Sequence, residues 1–459
     1  MEFSLTEVRE ATGGELLGTI GSVCTGISID SRRLKPGDLF VAIIGERHDG
    51  HAFVQAAVAA GAPAVVVSRP VDVPEGTGVV LVKDTTAALG GLARHHRRRF
   101  SLPVVAVTGS SGKTTVKEMI AAVAAVKHRV AKTVGNRNNE IGLPLTLLGL
   151  DRRDEILVVE MGMRGPGQIA ALAAVAEPDI GVVTNIGLTH LELLGTREAI
   201  AAAKGELLAA LPRDGTAVIN ADDPYYETLA AMTGARVLSF GFGDAARVRG
   251  SAFKPAAEGS VLSVDGPSFS GFRLVLRAPG RHHAIDALAA AAAACALGYT
   301  TEEIQAGLEG FAPERGRGAA LRSERGFVVL DDTYNANPDS MAAALAVLAA
   351  QPCTGRRMAV LADMLELGPS AQAAHREIGK TAAAAGIALL LTTGDLATEI
   401  AAGAKAAGFP ATRMRHYPDR RALIADLQEI VRAGDVVLVK GSRGMHMEEV
   451  VDALMGGNA

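Results

Sequence analysis

Short apolar runs rich in β-branched residues alternate along most of this chain with stretches in which apolar residues recur at helical spacing. Runs of the first kind are typical of strands that are buried on both faces. Stretches of the second kind are typical of helices that cover one face of a sheet. Strands that alternate with helices predict an α/β fold with mostly parallel sheets.

The clearest chemical signal lies between the predicted strand Val104–Val107 and a predicted helix that continues from Val116. A glycine-rich turn at this place would direct backbone N–H groups and a helix start toward an anion. Lys113 would reach the β- and γ-phosphates of a nucleotide, and the Thr114 hydroxyl would ligate Mg²⁺. The general P-loop pattern has a glycine where this chain has Val107, so the match is to the shorter G-x-x-G-K-T form. The turn reads Gly109, Ser110, Ser111, Gly112, Lys113, Thr114 and Thr115.

The pattern divides the 459 residues into three segments, about the number of domains expected for this length. Residues 1–85 predict a small N-terminal α/β domain. Residues 86–312, which begin with a linker or helix at 86–102, predict a central P-loop-type domain with a mostly parallel sheet. In residues 313–459 the alternation starts again without a phosphate loop. This last segment predicts a C-terminal Rossmann-like domain.

Polar residues follow three predicted strands of the central segment, namely Glu160, His190 and Asn220. Ligands of open α/β sheets lie outside the carboxyl ends of the strands, so these residues are expected to share a crevice with the phosphate loop. A single glutamate or histidine at such a place is usually a cap or a structural residue. Together with Thr114, however, Glu160 and His190 form a set of donors that suits Mg²⁺ or Mn²⁺.

Lys204 lies in an otherwise apolar helical stretch, Ala201–Leu208. One interpretation is a lysine that extends its amine to the surface or forms an ion pair. The other is an amine that desolvation leaves partly neutral, so that it reacts with CO₂ to give a carbamate. The residue pattern alone does not select between these interpretations.

Composition excludes several classes of function. The formal net charge of −4 gives no overall attraction to nucleic acid or to an anionic membrane. The basic run 94–99 predicts a solvated helix end, with a contact to a polyanionic substrate as the alternative. Three scattered cysteines give no metal spacing and no disulfide framework, and the first residues lack a secretion signal. We therefore expect a cytoplasmic protein that neither inserts into membranes nor binds nucleic acid.

Two polar loops of the N-terminal segment, Ser28–Arg32 and Gly45–His51, flank one predicted strand and each contains an arginine. They are either ordinary turns or a site for a diphosphate.

The motifs together resemble those of the Mur ligases, the ATP-dependent amide-bond-forming enzymes of peptidoglycan synthesis. The resemblance runs nearly end to end. Gly135–Gly142 and Asp331–Asn337 resemble the subgroup that adds D-alanyl-D-alanine. The remaining marks are Ser28–Arg32, Gly45–His51, Thr108–Thr115, Glu160–Gly162, Thr184–His190, Asn220–Asp222, Pro279–His282, Asp363–Gly368 and Lys440–Arg443.

The resemblance implies an N-terminal domain that holds a UDP-sugar, a central ATPase domain and a C-terminal domain that closes on it. ATP would phosphorylate the terminal carboxylate of UDP-N-acetylmuramoyl-tripeptide. The amine of D-alanyl-D-alanine would then attack the acyl phosphate and release phosphate. This reaction belongs to the cytoplasmic stage of peptidoglycan synthesis, on which cell shape and division depend.

The resemblance also implies a role for each site residue. Lys113 would neutralise phosphate charge, Thr114 and Glu160 would hold one Mg²⁺, and His190 with carbamylated Lys204 would hold a second. The nucleotide would be bound by Gly109, Ser110, Ser111, Gly112, Lys113, Thr114, Thr115, Asn220, His283, Arg317 and Asp332. The substrates would be bound by Ser28, Asp30, Ser31, Arg32, Gly45, Arg47, Asp49, Asn138, Asn139, Asn335, Asn337, Lys440 and Arg443.

Two positions depart from the family pattern. Family members read Gly-Arg-His-Asn-x-x-Asn, whereas this chain has His283 and Asp286 in place of the two asparagines. A histidine lacks the paired donor and acceptor of an amide, so the way adenine is read stays open.

Other interpretations also stay open. These are the related ligase that adds the third residue, a folylpolyglutamate-synthase-like ligase, and a P-loop kinase or ATPase switch. A simple ATPase would not need the C-terminal segment. We expect a monomer, although the sequence is silent on oligomeric state, on domain orientation, and on whether the tripeptide carries lysine or diaminopimelate.

Overall fold

The computed structural model describes residues 1–17, 23–189, 191–256, 259–267 and 269–456, with the side chain of Ser270 left out. It has the mixed α/β fold with mostly parallel sheets that the sequence predicts. Two compact units are present. Unit 1 comprises residues 1–106, 128–163 and 167–179, and unit 2 comprises residues 107–127, 164–166 and 180–459. Among the described residues, no helix is both long enough and apolar enough to cross a membrane.

Unit 1 begins with a small α/β layer. Its elements are β1 (Phe3–Ser4), α1 (Leu5–Thr12), β2 (Glu15–Leu17), β3 (Val23–Cys24), β4 (Gly26–Ser28), β5 (Asp38–Val41), a 3₁₀ turn (Gly50–Phe53), α2 (Val54–Ala59), β6 (Ala64–Val67), β7 (Gly78–Leu81) and α3 (Thr85–Arg97). Strands β4, β5, β6 and β7 are parallel neighbours, and β2 pairs antiparallel with β7. The loops that follow β4 and β5 therefore leave the same edge of this sheet.

The rest of unit 1 comes from the predicted central segment. It contains β8 (Val104–Thr108, whose last two residues belong to unit 2), β9 (Val130–Lys132), α5 (Gly142–Leu148), β10 (Ile156–Glu160) and α6 (Gln168–Ala176), with α4 (Lys113–Ala124) assigned to unit 2. Helix α3 packs on α1, α5 and α6. Compactness therefore groups part of the central segment with the N-terminal segment, and the boundaries at residues 85 and 312 stay a prediction.

Unit 2 contains a series of parallel strands followed by antiparallel strands. Its elements are β11 (Ile180–Val183), α7 (Leu191–Leu194), α8 (Arg197–Ala209), β12 (Thr216–Asn220), α9 (Tyr226–Ala230), β13 (Arg236–Gly241), β14 (Val248–Ala256), β15 (Gly259–Gly266), β16 (Phe269–Leu276), α10 (Arg281–Ala296) and α11 (Thr301–Gly310). Strands β11 to β14 are parallel, whereas β14, β15 and β16 are antiparallel. The alanine-rich face of α10 is fully buried, and this helix packs on α4.

The last part of unit 2 is a six-stranded sheet with helices on both faces. It is built from β17 (Ala319–Arg322), β18 (Val328–Asp332), α12 (Pro338–Ala350), β19 (Arg357–Ala362), α13 (Ala371–Ala384), β20 (Leu389–Thr393), α14 (Ala397–Ala406), β21 (Met414–Tyr417), α15 (Arg420–Ile430), β22 (Val436–Lys440) and α16 (Glu448–Leu454). The strand order is β17-β18-β22-β19-β20-β21, parallel except for β17. Separate apolar cores fill its two faces.

Candidate functional site

The glycine-rich turn between β8 and α4 has the backbone of a phosphate cradle. Gly112 caps α4 at φ 80°, and Gly109 has φ 150°, both in a region that side chains rarely adopt. A Cβ at Gly109 would lie 1.8 Å from Thr184 Oγ1, and one at Gly112 would lie 2.4 Å from Asp286 Oδ1. Both positions therefore require glycine, for conformation and for space. The turn presents the N-terminus of a 12-residue helix, where anions bind.

Two lysine amines meet at this turn. Lys113 Nζ donates to the carbonyl oxygen of Gly109 at 2.9 Å, and Lys204 Nζ from α8 donates to the same oxygen at 3.0 Å. Burial holds the pKa of Lys204 well below its usual value, and the positive charge of Lys113 lowers it further. Lys204 is 2% exposed and does not extend to the surface, so the snorkelling interpretation is wrong. The amine of Lys204 is instead desolvated, as the carbamate interpretation requires.

The segment that follows β11 holds the phosphate turn in place. Thr184 Oγ1 donates to the Ser111 carbonyl at 2.6 Å, and the Asn185 side chain exchanges two hydrogen bonds with the Ser111 backbone. Ser110 Oγ accepts from the Gly187 N–H at 2.8 Å. These bonds connect the backbone and the Ser110 hydroxyl of the turn to the segment that follows β11, so they restrict the conformation of the turn before any ligand binds.

Asn220, predicted to contact the nucleotide, lies buried at the end of β12. Its amide donates to the Thr184 carbonyl at 3.3 Å and accepts from the Asp222 N–H at 2.9 Å. These bonds join two neighbouring strand ends. The structure therefore gives Asn220 a positioning role behind Thr184.

A cleft of about 220 Å³ in unit 2 opens directly from the phosphate turn. Ser110 and Lys113 line one side, and loops of the C-terminal sheet line the other. Asn337 Nδ2 donates to Ser111 Oγ at 3.2 Å across the cleft. The residues on the C-terminal side that carry polar side chains are Asn335, Asn337, Glu366, Ser442 and Arg443.

Lys440 is not among the residues that line this cleft, and its contact with substrate stays a prediction. It is 2% exposed, and its amine lies 2.7 Å from Asp332 Oδ2 and 2.8 Å from the Asn335 carbonyl. A buried ion pair of this kind fixes the loop that follows β18. Lys440 therefore positions Asn335, whereas Arg443, whose side chain is 64% exposed, remains able to meet a ligand.

His283 and Asp332 line a second, smaller hollow of unit 2, beside Gly318. His283 Nδ1 lies 2.8 Å from the Pro279 carbonyl, so this nitrogen carries the proton. Burial lowers the pKa of His283, which favours the neutral ring. Arg317 stacks on Tyr334 with 3.7 Å between the guanidinium carbon and the ring centre. The neighbouring Asp286 is buried against Gly112, and this burial raises its pKa well above the usual value.

In unit 1, the end of β10 carries a prearranged carboxylate. Glu160 is 3% exposed, and its Oε1 accepts from Asn138 Nδ2 at 2.7 Å. Its backbone N–H donates to Thr133 Oγ1 at 3.0 Å. Asn139 behaves differently, because its side-chain oxygen accepts from the Gly142 N–H at 2.9 Å at the start of α5. Asn138 thus orients a predicted metal ligand, whereas Asn139 stabilises the turn that leads into α5.

The two predicted diphosphate loops of unit 1 lie at the same sheet edge, after β4 and β5. Asp30 forms a two-pronged pair with Arg32, and this pairing lowers the pKa of Asp30 to about 2. Asp49 accepts from the His51 N–H and pairs with Arg69. Ser28 Oγ bonds within its own turn, to Asp30. The remaining predicted residues on these loops are Ser31, Gly45 and Arg47.

The basic run at the end of α3 is engaged by the protein itself. Arg94 and Arg98 pair with Glu177, and Arg99 pairs with Glu7. Arg97 is 9% exposed and donates to the Ala176 carbonyl. The prediction of a solvated helix end was wrong for Arg97, because α6 supplies its hydrogen-bond partner.

His190 lies outside the described residues. Among the described residues, no group of three or more histidines, cysteines or acidic residues is arranged to hold a metal ion. Each unit contains one predicted oxygen donor for Mg²⁺: Thr114, which is 6% exposed at the start of α4, in unit 2, and Glu160, which is 3% exposed at the end of β10, in unit 1. Oxygen donors of this kind fit Mg²⁺, which commonly keeps several waters and binds through a few protein oxygens and substrate phosphates.

Comparison with known proteins identifies three matching families. Residues 107–294 match the Mur ligase middle domain, residues 316–443 match the Mur ligase glutamate ligase domain, and residues 23–97 match the Mur ligase family catalytic domain. The chain is 38% identical over 435 residues to the UDP-N-acetylmuramoyl-tripeptide–D-alanyl-D-alanine ligase of Bacillus subtilis strain 168, covering 95% of this chain and 94% of that protein.

Solved structures match over nearly the whole chain. A crystal structure of MurF from Acinetobacter baumannii superposes with a TM-score of 0.92 at 31% identity and covers 99% of both chains. The MurF ligase from Thermotoga maritima, solved in complex with ADP, superposes with a TM-score of 0.85 at 30% identity, covering 94% of this chain and 97% of that one.

Proposed function

Because the chain belongs to the Mur ligase family, we propose that it joins D-alanyl-D-alanine to the terminal carboxylate of UDP-N-acetylmuramoyl-tripeptide at the expense of ATP. Support comes from full-length relatives that carry this name and from a similar ligase solved with ADP. The reaction supplies the peptide of peptidoglycan.

The observation that carries the proposal is the 220 Å³ cleft. Lys113 and Ser110 of the phosphate turn lie on one side, and Asn335 and Arg443 lie on the other. A ligase must bring a phosphoryl donor and an amine to one place, whereas a kinase or ATPase switch needs only the phosphate turn. A cleft lined by both the phosphate turn and the C-terminal loops therefore favours a ligase over a kinase or an ATPase switch.

The reaction proceeds in two steps. The tripeptide carboxylate attacks the γ-phosphorus of ATP, ADP leaves, and an acyl phosphate forms. The dipeptide amine then attacks the acyl carbon, and phosphate leaves. Lys113 neutralises the charge on the transferring phosphoryl group, and the N-terminus of α4 adds the partial positive charge of the helix dipole.

Two Mg²⁺ ions are part of the proposal. They would neutralise phosphate charge and align the reacting oxygens. Thr114 and Glu160 would hold one, with Asn138 orienting the carboxylate through its 2.7 Å hydrogen bond. His190 and Lys204 would hold the other, with Lys204 carbamylated. Its buried amine and lowered pKa support that modification, since only a neutral amine reacts with CO₂.

The positions of two sets of residues suggest where the UDP-sugar and the nucleoside end of ATP would bind. The loops after β4 and β5 would bind the UDP-sugar. His283 and Asp332, which line a hollow of about 10 Å³, would contact the nucleoside end of ATP at the surface, with Arg317 at its phosphates. We also propose that residues 1–85, 86–312 and 313–459 act as the three functional domains predicted from the sequence. We place the reaction in the cytoplasm, where ATP and UDP-linked precursors are made, and we expect the monomer to be sufficient.

Omitting substrates one at a time tests the proposal. With Mg²⁺ and ATP, sustained ADP release should require both the UDP-linked tripeptide and D-alanyl-D-alanine, and the product mass should equal that of the pentapeptide. Parallel reactions with lysine- and diaminopimelate-containing tripeptides identify the third residue. ADP release at the same rate with and without the dipeptide would instead support an ATPase switch. Extension of a UDP-linked dipeptide by a single amino acid would support the ligase that acts one step earlier.

A further inference from the structure

The lining of the cleft includes a carboxylate from the C-terminal part of unit 2, that of Glu366. Glu366 lies in the loop after β19 and has φ 62°, a left-handed conformation that non-glycine residues rarely adopt. Such strain persists only where the surrounding structure imposes it, and it is concentrated at functional sites.

Hydrogen bonds on both sides of Glu366 impose this conformation. The Met364 N–H donates to His375 Nε2 at 2.9 Å, and the Leu365 N–H donates to Ser442 Oγ at 2.9 Å. On the other side, Ser370 Oγ donates to the Leu367 carbonyl at 2.7 Å. These hydrogen bonds hold the backbone on both sides of Glu366 and thereby fix the position of Glu366 at the cleft.

The charges that line the cleft match a zwitterion. Lys113 and Arg443 supply positive charge, and Glu366 supplies negative charge. Glu192, on α7, lies beside the same loop, because a Cβ added at Gly368 would be 3.2 Å from Glu192 Cβ. A dipeptide carries a carboxylate and an ammonium group. The guanidinium of Arg443 suits the carboxylate of the dipeptide, and the negative charge of Glu366 suits its ammonium group.

We propose that Glu366 binds the ammonium group of the incoming dipeptide and removes its proton, so that the amine becomes the nucleophile. In this step, which rests on the ligase activity proposed above, the proton passes from nitrogen to the Glu366 carboxylate. The freed electron pair forms the bond to the acyl carbon, and the carbon–oxygen bond to phosphate breaks with its electron pair. A second proton leaves the nitrogen for water as the amide forms, and Glu366 returns its own proton to solvent.

The need for a base follows from the substrate. The α-amino group of a peptide has a pKa of about 8, so most of it is protonated and not nucleophilic at neutral pH. A positioned base contributes about 10²–10⁴-fold to such a step. Acyl phosphate formation involves no amine and should not need Glu366.

The test compares Glu366→Gln with wild type and with Glu377→Gln. Glu377 is an exposed glutamate of α13 that pairs with Lys380 outside the cleft, so its variant has the same change of charge. Ligation of D-alanyl-D-alanine is measured against pH. Hydroxylamine, whose nitrogen is uncharged at neutral pH, is used in a second assay to trap the acyl phosphate as a hydroxamate.

Glu366→Gln should lower kcat for the dipeptide by about 10²-fold at neutral pH and regain rate as the pH rises. Its hydroxamate formation should equal that of wild type, and Glu377→Gln should be unaffected in both assays. Glu366→Gly, which relieves the positive φ, should melt at a higher temperature yet ligate poorly. Unchanged ligation in Glu366→Gln overturns the proposal, and so does loss of hydroxamate formation. Failure of the wild type in both assays would instead overturn the ligase activity itself.

Discussion

Lys113 and Lys204 donate hydrogen bonds to one and the same oxygen, the carbonyl of Gly109, at 2.9 and 3.0 Å. Two ammonium groups at one carbonyl repel each other, and Lys204 lies too deep for water to screen the repulsion. The pair is stable when Lys113 carries the charge and Lys204 is neutral. The phosphate turn thus combines a cation for phosphate with an amine available for carbamylation.

Substitution of Lys204 separates a carbamate from a structural amine. Lys204→Arg keeps a permanent charge and cannot form a carbamate, so we expect it to be inactive, as is Lys204→Ala. Formate added to Lys204→Ala should restore part of the ligation rate by supplying the missing carboxylate. Steady-state assays at several formate concentrations measure this.

Lys113→Ala is the control for that experiment. It should be inactive with and without formate, because it lacks a cation rather than an anion. An active Lys204→Arg enzyme would show that the carbamate is not needed.

Asp286 should make stability fall as pH rises. It ionises near pH 3.9 in an unfolded chain, and burial raises its pKa well above that value in the folded protein. The stability contributed by the protonated form is complete below the unfolded pKa and is lost as the pH rises toward the folded pKa. Asp286→Asn removes this loss, so it should be more stable than wild type at pH 8, by up to about 1.4 kcal/mol per pH unit crossed.

Urea unfolding of both proteins between about pH 4 and pH 8 measures the difference. The two free energies of unfolding should converge at the acid end. A constant difference across this range would show that Asp286 ionises normally in the folded protein.

Asn138 and Asn139 are neighbours with different expected effects. Asn138→Ala removes the hydrogen bond that orients Glu160. It should raise the Mg²⁺ concentration needed for half-maximal activity by about 10–100-fold. Asn139→Ala removes the bond to the Gly142 N–H at the start of α5 and should cost about 1 kcal/mol of stability, with little change in Mg²⁺ dependence. Magnesium titrations of activity and thermal melts of both variants distinguish them. Equal effects on both readouts would contradict these roles.

The sequence predicted what depends on neighbours along the chain. The phosphate turn, β8 and α4 follow from a local pattern of residues. The comparisons with known proteins confirmed the family resemblance and the α/β fold class.

Features that depend on distant partners were not predictable. Lys440 was assigned to substrate because its motif resembles a binding loop, but its partner Asp332 lies 108 residues away, and only the parallel pairing of β18 with β22 brings them together. Arg97 likewise finds its carbonyl partner 79 residues away. The positive φ of Glu366 has no counterpart in composition or spacing, since it is imposed by Ser442 and His375.

The central claim is that ATP activates a carboxylate of the substrate before an amide forms. The direct measurement uses UDP-N-acetylmuramoyl-tripeptide with heavy oxygen in its terminal carboxylate, together with ATP, Mg²⁺ and D-alanyl-D-alanine. Mass spectrometry of the released phosphate should find one labelled oxygen for each amide bond made, because that oxygen bridges carbon and phosphorus in the acyl phosphate. Phosphate that carries no label would show that ATP is hydrolysed by water, and it would contradict the ligase mechanism.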